Sequence, residues 1–400
     1  MFWERKLGNW ADEVRGRCNL PLRVELWNGQ QLDLGTGTTP EVTVRVPHAS
    51  ALSYLLTPSL YNLGRAYVEG AIDIEGRPTS IISVGSELAR TLKPEGRFGR
   101  MVRTFQHSRK MDEEAIRYHY DVSNAFYQVW LDKNMVYSCA YFENGAEDLD
   151  AAQLKKIDHI LNKIQLRPGQ SLLDIGCGWG ALVLRAAEKY GVRCVGITLS
   201  QNQYELATER VQRAGLADRV EIRLQDYRDV SGRFDRITSV GMFEHVGAKH
   251  LVEYFSRMRM LLADGGLAMN HGITTTDPKN GETAYGGGEF IHRYVFPHGE
   301  LEHLGTVLLA MQEGGLEAFD IENLRRHYAQ TCATWAENYE ANAAKIKTLV
   351  DDKRFRIWRV YLAGCAYAFS QDWISLYQVV CTKAGADATL LPRSRRYMYS

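Results

Sequence analysis

The segment LLDIGCGWG at residues 172–180 constrains the fold of this 400-residue chain more than any other feature. Residues 171–175 predict a short buried strand, and the glycine-rich turn after it leads into an amphipathic helix. Short strands alternating with helices predict a parallel, doubly wound α/β sheet that binds ligands at the carboxyl ends of its strands. Further strands of this sheet are predicted at 193–197, 220–224, 234–240 and 267–271.

The turn carries Gly176, Gly178 and Gly180, so a ligand can approach the backbone closely beside a helix N-terminus. The spacing is G-x-G-x-G, whereas dinucleotide enzymes typically use G-x-G-x-x-G. Asp174, just before the turn, would repel a pyrophosphate but attract a cationic aminoacyl sulfonium group. Asp226 follows the third strand, where a carboxylate can accept a hydrogen bond from an adenine amino group. These details favour S-adenosylmethionine over a nicotinamide dinucleotide.

The second strand of this sheet runs into GITLSQNQ at 196–203 and carries no acid at its end. An acid at this position often binds the ribose hydroxyls of a nucleotide. We therefore expect Thr198, Ser200 or Gln203 to bind the ribose through neutral hydrogen bonds.

The charges balance, with 48 Lys and Arg against 48 Asp and Glu. This balance excludes a uniformly basic nucleic-acid-binding protein, and we expect no nucleic-acid partner. The seven cysteines form no C-x-x-C pair and no H-x-x-x-H pair occurs, so neither a disulfide framework nor a metal site is predicted. No segment has the length and apolar character of a membrane span, and no export signal begins the chain, which predicts a cytoplasmic protein.

Composition and pattern divide the chain into three parts. Residues 1–90 predict a small α+β accessory domain, either a folding or dimerisation appendage or a lipid-facing module, with strand-like alternation extending over 66–74 and a helix over 81–92. A basic linker follows at 91–114; between Arg90 and Lys110 seven basic residues face only one acid. Such a run is either a solvated connection or a contact with an anionic phospholipid surface. Residues 115–400 form the predicted catalytic domain.

Seven segments together resemble the cyclopropane-fatty-acyl-phospholipid synthase family. The first 110 residues match this family less distinctively than the rest. The related mycolic acid cyclopropane synthases lack such an N-terminal domain, so its presence favours the branch that acts on phospholipids. The seven segments are YHYDVSNAFY (118–127), MVYSCAYF (135–142), LLDIGCGWG (172–180), GITLSQNQ (196–203), SVGMFEHVG (239–247), FIHRYVFPHGEL (290–301) and LYQVVCTK (376–383).

The resemblance implies a Rossmann-like class I methyltransferase that transfers a methylene group from S-adenosylmethionine to a cis double bond of a phospholipid acyl chain. It further implies a carbocation that is deprotonated by a bound bicarbonate ion. It places the enzyme at the inner face of the cytoplasmic membrane and suggests a homodimer. The residues matching the bicarbonate site are Cys139, Glu244, His271, the backbone of Ile273, and Tyr328. The candidate cofactor contacts are Tyr137, Ser138, Asp174, Gly176, Gly178, Thr198, Gln203, Asp226 and Tyr227.

Several alternatives remain open from the residues alone. Cys139 is either a ligand or a small buried residue, His271 is either a ligand or a satisfied strand-end histidine, and Glu244 either orients His271 or accepts a proton. Aromatic residues between 118 and 142 either stabilise a cation or form core. The functional alternatives are a fatty acyl C-methyltransferase that closes no ring, a lipid carrier with a degenerate catalytic half, and a nucleic-acid methyltransferase. The last lacks its expected Asn-Pro-Pro-Tyr motif. The aromatic residues are Tyr118, Tyr120, Phe126, Tyr127, Tyr137, Tyr141 and Phe142.

Overall fold

A computed structural model describes residues 2–92 except 38, and residues 122–399 except 280, 282, 297, 298, 388, 390 and 391. Most of the predicted basic linker and the predicted aromatic residues Tyr118 and Tyr120 lie outside the described residues. The chain divides into two compact units. The first comprises residues 1–103, 281–297 and 332–373, and the second comprises 104–280, 298–331 and 374–400.

The first unit contains a four-stranded sheet in the order β2-β1-β3-β4, in which β1 and β3 are parallel. Helices pack around this sheet to enclose an apolar core. The strands are β1 (Leu22–Leu26), β2 (Gln31–Asp33), β3 (Val42–Val46) and β4 (Asp73–Gly76). The helices are α1 (Phe2–Arg17), α2 (Leu52–Leu56), α3 (Leu60–Val68) and α4 (Pro78–Leu92), with later helices given below.

One helix of this unit was not predicted, and one expectation is wrong. The chain begins with the helix α1, because Leu7, Trp10, Ala11 and Val14 recur at helical spacing and are all buried. The strand expected over 66–74 is in fact the end of α3, a turn and the short β4. Helix α3 starts at a side-chain cap, since the Ser59 hydroxyl accepts a hydrogen bond from the backbone N–H of Asn62 at 3.0 Å.

The second unit contains a seven-stranded sheet in the order β10-β11-β9-β8-β5-β6-β7. Strands β9, β8, β5, β6 and β7 run parallel to one another. At one edge of the sheet β11 pairs antiparallel with β9, and β10 pairs antiparallel with β11. The doubly wound α/β class is therefore confirmed, with a mixed sheet rather than a wholly parallel one. The strands are β5 (Ser171–Ile175), β6 (Arg193–Thr198), β7 (Val220–Leu224), β8 (Phe234–Val240), β9 (Leu262–Thr275), β10 (Leu316–Asn323) and β11 (Ile374–Lys383).

Helices of the second unit cover both faces of this sheet and bury two apolar clusters against it. The remaining helices in the described part of the chain are α5 (Asn124–Gln128), α6 (Leu149–Lys163), α7 (Ala181–Tyr190), α8 (Gln201–Arg213), α9 (Leu251–Leu261), α10 (Gly287–Tyr294), α11 (Leu304–Glu313), α12 (Arg325–Ala341), α13 (Ala343–Ile346) and α14 (Asp352–Ser370). Among the described residues, no helix is both long enough and apolar enough to cross a membrane.

Candidate active site

A cleft opens where β5, β6 and β8 end, as the topology of a doubly wound sheet requires. Eight of the nine predicted cofactor contacts line it. They are Tyr137, Ser138, Asp174, Gly176, Gly178, Thr198, Gln203 and Tyr227.

The glycine turn is held against the neighbouring strand by its own backbone. The N–H groups of Gly176 and Cys177 both donate to the carbonyl oxygen of Ile197, at 3.0 and 2.9 Å. Gly180 has a φ of +84°, and a Cβ there would lie 3.3 Å from Cβ of Ala207. A side chain at this position would therefore be strained in φ and crowded against α8, which explains the last glycine of the motif.

Asp174 supplies the negative charge of the cleft. Its carboxylate is buried and accepts a hydrogen bond from the Thr238 hydroxyl at 2.7 Å. Burial raises the pKa of Asp174 to about 6, against the opposing effects of the Thr238 hydrogen bond and the Lys156 charge. Above that pH the carboxylate is ionised and attracts a cationic ligand.

Thr198 and Gln203 meet at the end of β6. The Thr198 hydroxyl donates to Oε1 of Gln203 at 2.8 Å, and both residues line the cleft. Ser200, the third candidate at this strand end, instead caps α8, because its Oγ accepts from the backbone N–H of Gln203. Neutral side chains therefore stand where many nucleotide sites carry an acid.

Asp226 is the predicted cofactor contact that does not line the cleft. Its carboxylate accepts from Nε and Nη2 of Arg228 at 2.9 and 2.8 Å. Its neighbours Gln225 and Tyr227 do line the cleft. The predicted role of Asp226 at the adenine would require its carboxylate to serve Arg228 and the ligand together.

The cleft wall formed by residues 135–138 depends on two residues that sequence reasoning missed. Lys156 Nζ donates to Ser138 Oγ at 2.7 Å, and Gln153 Nε2 donates to the Ser138 carbonyl at 2.8 Å. Burial lowers the pKa of Lys156 to about 8, although Cys139, Asp132 and Asp174 oppose this shift. A detectable signal existed, because both polar residues lie on the buried face of α6 at a spacing of three.

The predicted aromatic residues separate into two groups. Phe126, Tyr127 and Tyr137 pack with Trp130 and Trp179, and the Tyr127 and Trp179 ring centroids lie 5.0 Å apart. Tyr137 and Trp179 line the cleft, so this cluster adjoins the cofactor region. Tyr141 instead stacks on His159 and His327, at 4.4 and 4.8 Å, and Phe142 is buried.

Glu244 and His271 are buried, and each carries an atom without a hydrogen-bond partner among the described residues, namely Glu244 Oε2 and His271 Nε2. Glu244 Oε1 accepts from the backbone N–H of Ile273 at 2.7 Å, so that N–H, a predicted anion ligand, already has a partner. The other nitrogen of His271, Nδ1, lies 3.2 Å from Nε2 of Gln378. The side chain within hydrogen-bonding distance of His271 Nδ1 is therefore Gln378, and the hydrogen bond of Glu244 goes to the Ile273 backbone.

Burial raises the pKa of Glu244 to about 7, although the Ile273 N–H opposes the shift. Burial also lowers the pKa of His271 well below its usual value, and the charges of Lys156 and Lys163 add to this effect. Near neutral pH His271 is therefore a neutral imidazole, and Glu244 is a carboxyl group that readily gains or loses a proton.

Cys139 and Tyr328 both approach the carbonyl of Leu324. Cys139 Sγ lies 3.8 Å from this oxygen, and the backbone N–H of Tyr328 donates to it at 3.0 Å. Burial raises the pKa of the Cys139 thiol far above its usual value, which disfavours a thiolate nucleophile. Leu324 in turn donates to the carbonyl of Leu376, whose cross-strand partner is Ile273. The five predicted bicarbonate ligands are thereby linked in one region of the second unit.

This region adjoins the cofactor cleft through the loop after β8. Gly241, Met242 and His245 line the cleft, and Glu244 lies between the last two in sequence. Gly272 permits the close approach of this loop, since a Cβ at Gly272 would lie 2.0 Å from the Phe243 ring. No group of His, Cys, Asp and Glu in the described part of the chain could hold a metal ion.

A doubly wound sheet, a glycine turn after strand β5, a buried acid just before that turn and neutral polar side chains at the end of β6 define the class of S-adenosylmethionine-dependent methyltransferases. Residues 107–379 match the mycolic acid cyclopropane synthetase family, and residues 10–93 match a domain of unknown function. The chain belongs to the mycolic acid cyclopropane synthetase family and is a methyltransferase of that family.

Named relatives and a solved structure agree with this assignment. A probable fatty acid methyltransferase of Pseudomonas putida is 47% identical over 391 residues, covering 95% of this chain and 97% of the relative. The cyclopropane-fatty-acyl-phospholipid synthase of Escherichia coli is 38% identical over 265 residues, covering 66% of each chain. The crystal structure of mycolic acid cyclopropane synthase CmaA1 complexed with SAH and CTAB is 34% identical, with a TM-score of 0.65, covering 68% of this chain and 98% of that one.

Proposed function

We propose that this enzyme transfers the methyl group of S-adenosylmethionine to a double bond of a fatty acyl chain. The observation that carries this proposal is the pair of unpartnered buried atoms, Glu244 Oε2 and His271 Nε2, beside the loop that lines the cofactor cleft. An alkene is a weak nucleophile and its methylation creates a carbocation, so the reaction needs a dry site and a nearby group that accepts a proton.

When bound, S-adenosylmethionine supplies an electrophilic methyl group on a sulfonium. Asp174 attracts the positive charge of this ligand, while Thr198 and Gln203 offer neutral hydrogen bonds to its ribose. Tyr137 and Ser138 line another part of the cleft, where Lys156 donates a hydrogen bond to Ser138. The remaining predicted contacts, Gly176, Gly178, Asp226 and Tyr227, are proposed to surround the nucleoside.

Water exclusion follows from burial. Cys139, Glu244, His271 and Tyr328 expose 0%, 7%, 1% and 8% of their surfaces. A carbocation formed next to them meets aromatic and carbonyl groups rather than bulk water, and aromatic faces attract cations. The raised pKa of Glu244 permits its carboxyl group to take up a proton near neutral pH.

Bicarbonate, the base implied by the family resemblance, fits these residues because His271 Nε2 can donate to an anion and Glu244 can accept its proton. Cys139, Tyr328 and the backbone of Ile273 are the other proposed ligands. When bound, bicarbonate would supply a mobile proton acceptor. The Ile273 N–H would have to share its hydrogen bond between this anion and Glu244.

Ring closure and open-chain methylation differ in where the proton leaves. Ring closure removes it from the transferred methyl group, whose carbon then bonds to the cationic carbon. In open-chain methylation the proton leaves a chain carbon beside the cation, or leaves the methyl group after a hydride shift along the chain, and the electron pair of the broken C–H bond forms a new double bond. The Pseudomonas putida relative, named a fatty acid methyltransferase, spans nearly the whole chain, whereas the Escherichia coli synthase aligns with two thirds of it. We therefore propose open-chain methylation as the leading candidate for the reaction and cyclopropane formation as the alternative. The presence of the N-terminal unit does not discriminate between the two reactions, since the alignment with the Pseudomonas putida relative also covers this unit.

The carrier of the acyl chain is proposed to be a phospholipid at the inner face of the cytoplasmic membrane, with the basic linker contacting anionic headgroups and the enzyme acting as a homodimer. Replacing Arg97, Arg100 and Arg103 by Ala should weaken binding to anionic vesicles, most strongly at low salt. Binding unchanged in these variants would make the linker a solvated connection.

The decisive experiment incubates the protein with methyl-labelled S-adenosylmethionine and unsaturated phospholipid vesicles, then with the free fatty acid. Label in the acyl chain is the expected result. Proton NMR of the product then separates high-field ring protons from the signals of a methyl or methylene branch. Absence of label from both substrates would refute the proposed function.

A further inference from the structure

A row of polar side chains crosses the edge of the seven-stranded sheet. Glu322 on β10 pairs in register with Gln378 on β11, and Gln378 pairs with His271 on β9. Residues opposite each other on neighbouring strands place their side chains on the same face. On the other side of His271, the residue opposite it is the apolar Val240 on β8, which lines the cofactor cleft.

Helix α6 covers this row with two further polar residues. Lys163 Nζ donates to Oε1 of Gln378 at 2.8 Å and also to Glu322. His159 Nε2 lies 2.7 Å from the same Glu322 carboxylate. Burial alone would raise the pKa of Glu322, but His159 and Lys163 lower it to about 2, so a partly buried ion pair lies at the far end of the row.

The lysine fixes which way the Gln378 amide points. An ammonium group has donors only, so the atom of Gln378 that faces Lys163 must be the carbonyl oxygen. The amide NH₂ group is then the one that lies 3.2 Å from Nδ1 of His271. A flipped amide would set NH₂ against the Lys163 ammonium, and the orientation is therefore determined by chemistry rather than by choice of assignment.

The amide orientation determines the state of the imidazole. Because Gln378 Nε2 is a donor, Nδ1 of His271 must accept, and the single ring proton of the neutral imidazole resides on Nε2. Nε2 is the nitrogen without a partner among the described residues, and His271 lies two residues before Ile273, whose backbone N–H binds Glu244.

We infer that Lys163 and Gln378 are positioning residues that hold His271 as the neutral Nε2–H tautomer, which makes His271 a hydrogen-bond donor to the reacting site and not its base. The effect on turnover rests on the proposed function, whereas the tautomer itself does not. Proton acceptance then falls to Glu244 or to a bound small anion. The distinction matters because a histidine base would need a lone pair on the same nitrogen.

The test is long-range ¹H–¹⁵N correlation NMR on the full-length protein labelled with ¹⁵N-histidine, with His271 assigned by its loss in His271→Gln. We expect Nδ1 of His271 at the position of an unprotonated nitrogen and Nε2 at that of a protonated one. In Gln378→Glu the new carboxylate accepts from Lys163 and from the ring, so the two signals should exchange. Gln371→Glu, the same change at an exposed position, should leave them in place.

In Gln378→Glu, turnover should fall by about tenfold or more while the affinity for S-adenosylmethionine stays within about twofold. The wild-type spectrum tests the inference even if this variant does not fold, and Lys163→Met, which frees the amide to flip, provides a second perturbation. Protonated Nδ1 in the wild type would overturn the inference, as would signals that do not move in Gln378→Glu. An expected spectrum from a protein without activity on acyl chains would instead refute the proposed function alone.

Discussion

Glu244 Oε1 accepts a hydrogen bond from the backbone N–H of Ile273 at 2.7 Å, while Oε2 of the same carboxyl group has no partner among the described residues. The hydrogen bond connects the loop after β8 to strand β9. The second carboxyl oxygen, Oε2, is available to contact a ligand. Burial raises the pKa of Glu244 to about 7. Glu244 therefore lies on the loop that lines the cofactor cleft and is also the proposed proton acceptor.

Glu244→Gln preserves the contact with Ile273 but removes the ability to take up a proton. We expect turnover to fall by about 100-fold or more, while the affinity for S-adenosylmethionine measured by calorimetry changes less than about threefold. Glu221→Gln, at an acid on the edge strand β7, is the matched control and should keep full turnover. An equal loss of cofactor binding in Glu244→Gln would place Glu244 in the cofactor site.

The pKa of Glu244 also predicts a dependence of stability on pH. The folded protein holds this proton up to about pH 7, whereas the unfolded chain releases it near the ordinary value of 4.5. The stabilising contribution is thus present below pH 4.5 and is lost as pH rises to 7, by about 3 kcal/mol. Urea unfolding should show the wild type losing stability relative to Glu244→Gln over this range. A constant difference between the two proteins would contradict the raised pKa.

Asp174→Asn should weaken S-adenosylmethionine binding by about 10- to 100-fold, because the cleft loses its buried negative charge while the Thr238 hydrogen bond can persist. In the wild type, affinity should rise with pH through about 6, where the carboxyl group ionises. Calorimetry at several pH values measures both effects. Asp235→Asn is the control, since Asp235 binds Ser171 at the opposite end of β5 and should leave affinity unchanged.

Lys156→Met removes the buried ammonium that holds Ser138 and should lower S-adenosylmethionine affinity about tenfold, because the cleft wall at 135–138 loses its fastening. The neighbouring Lys155 pairs with Glu143 and Glu147 at the surface, and Lys155→Met should leave affinity within about twofold. Equal effects of the two substitutions on affinity would show that Lys156 acts only through general charge.

Gly272→Ala places a Cβ 2.0 Å from the Phe243 ring and 3.1 Å from Glu244 Oε1, so the loop after β8 must move. We expect a loss of about 1–3 kcal/mol in the free energy of unfolding together with reduced turnover. In Gly364→Ala the added Cβ meets nothing within 4 Å among the described residues, and this helix-interior change should stabilise the protein slightly. Thermal unfolding and a turnover assay on both variants check these outcomes.

The sheet and most of the cofactor cleft could be predicted from the sequence, because their signals are local. The apolar run before Asp174, the glycines of the turn and the polar end of β6 each depend on a few neighbouring residues. The helix α1 was not predicted, although Leu7, Trp10, Ala11 and Val14 recur at helical spacing, and their burial confirms a common face. The antiparallel edge strands β11 and β10 were not predicted from pattern.

The sequence by itself determined five strands of the larger sheet, the glycine turn after the first of them and the acid, Asp174, that precedes this turn. Tertiary structure alone decided which buried polar groups meet: Lys156 reaches Ser138, Cys139 reaches a carbonyl 185 residues away, and Gln378 reaches His271 across 107 residues. Periodicity in a sequence indicates which side chains are buried, but it does not indicate which groups they contact. A buried polar group needs a partner because the interior screens charge poorly, and only the folded sheet determines which partner is within reach.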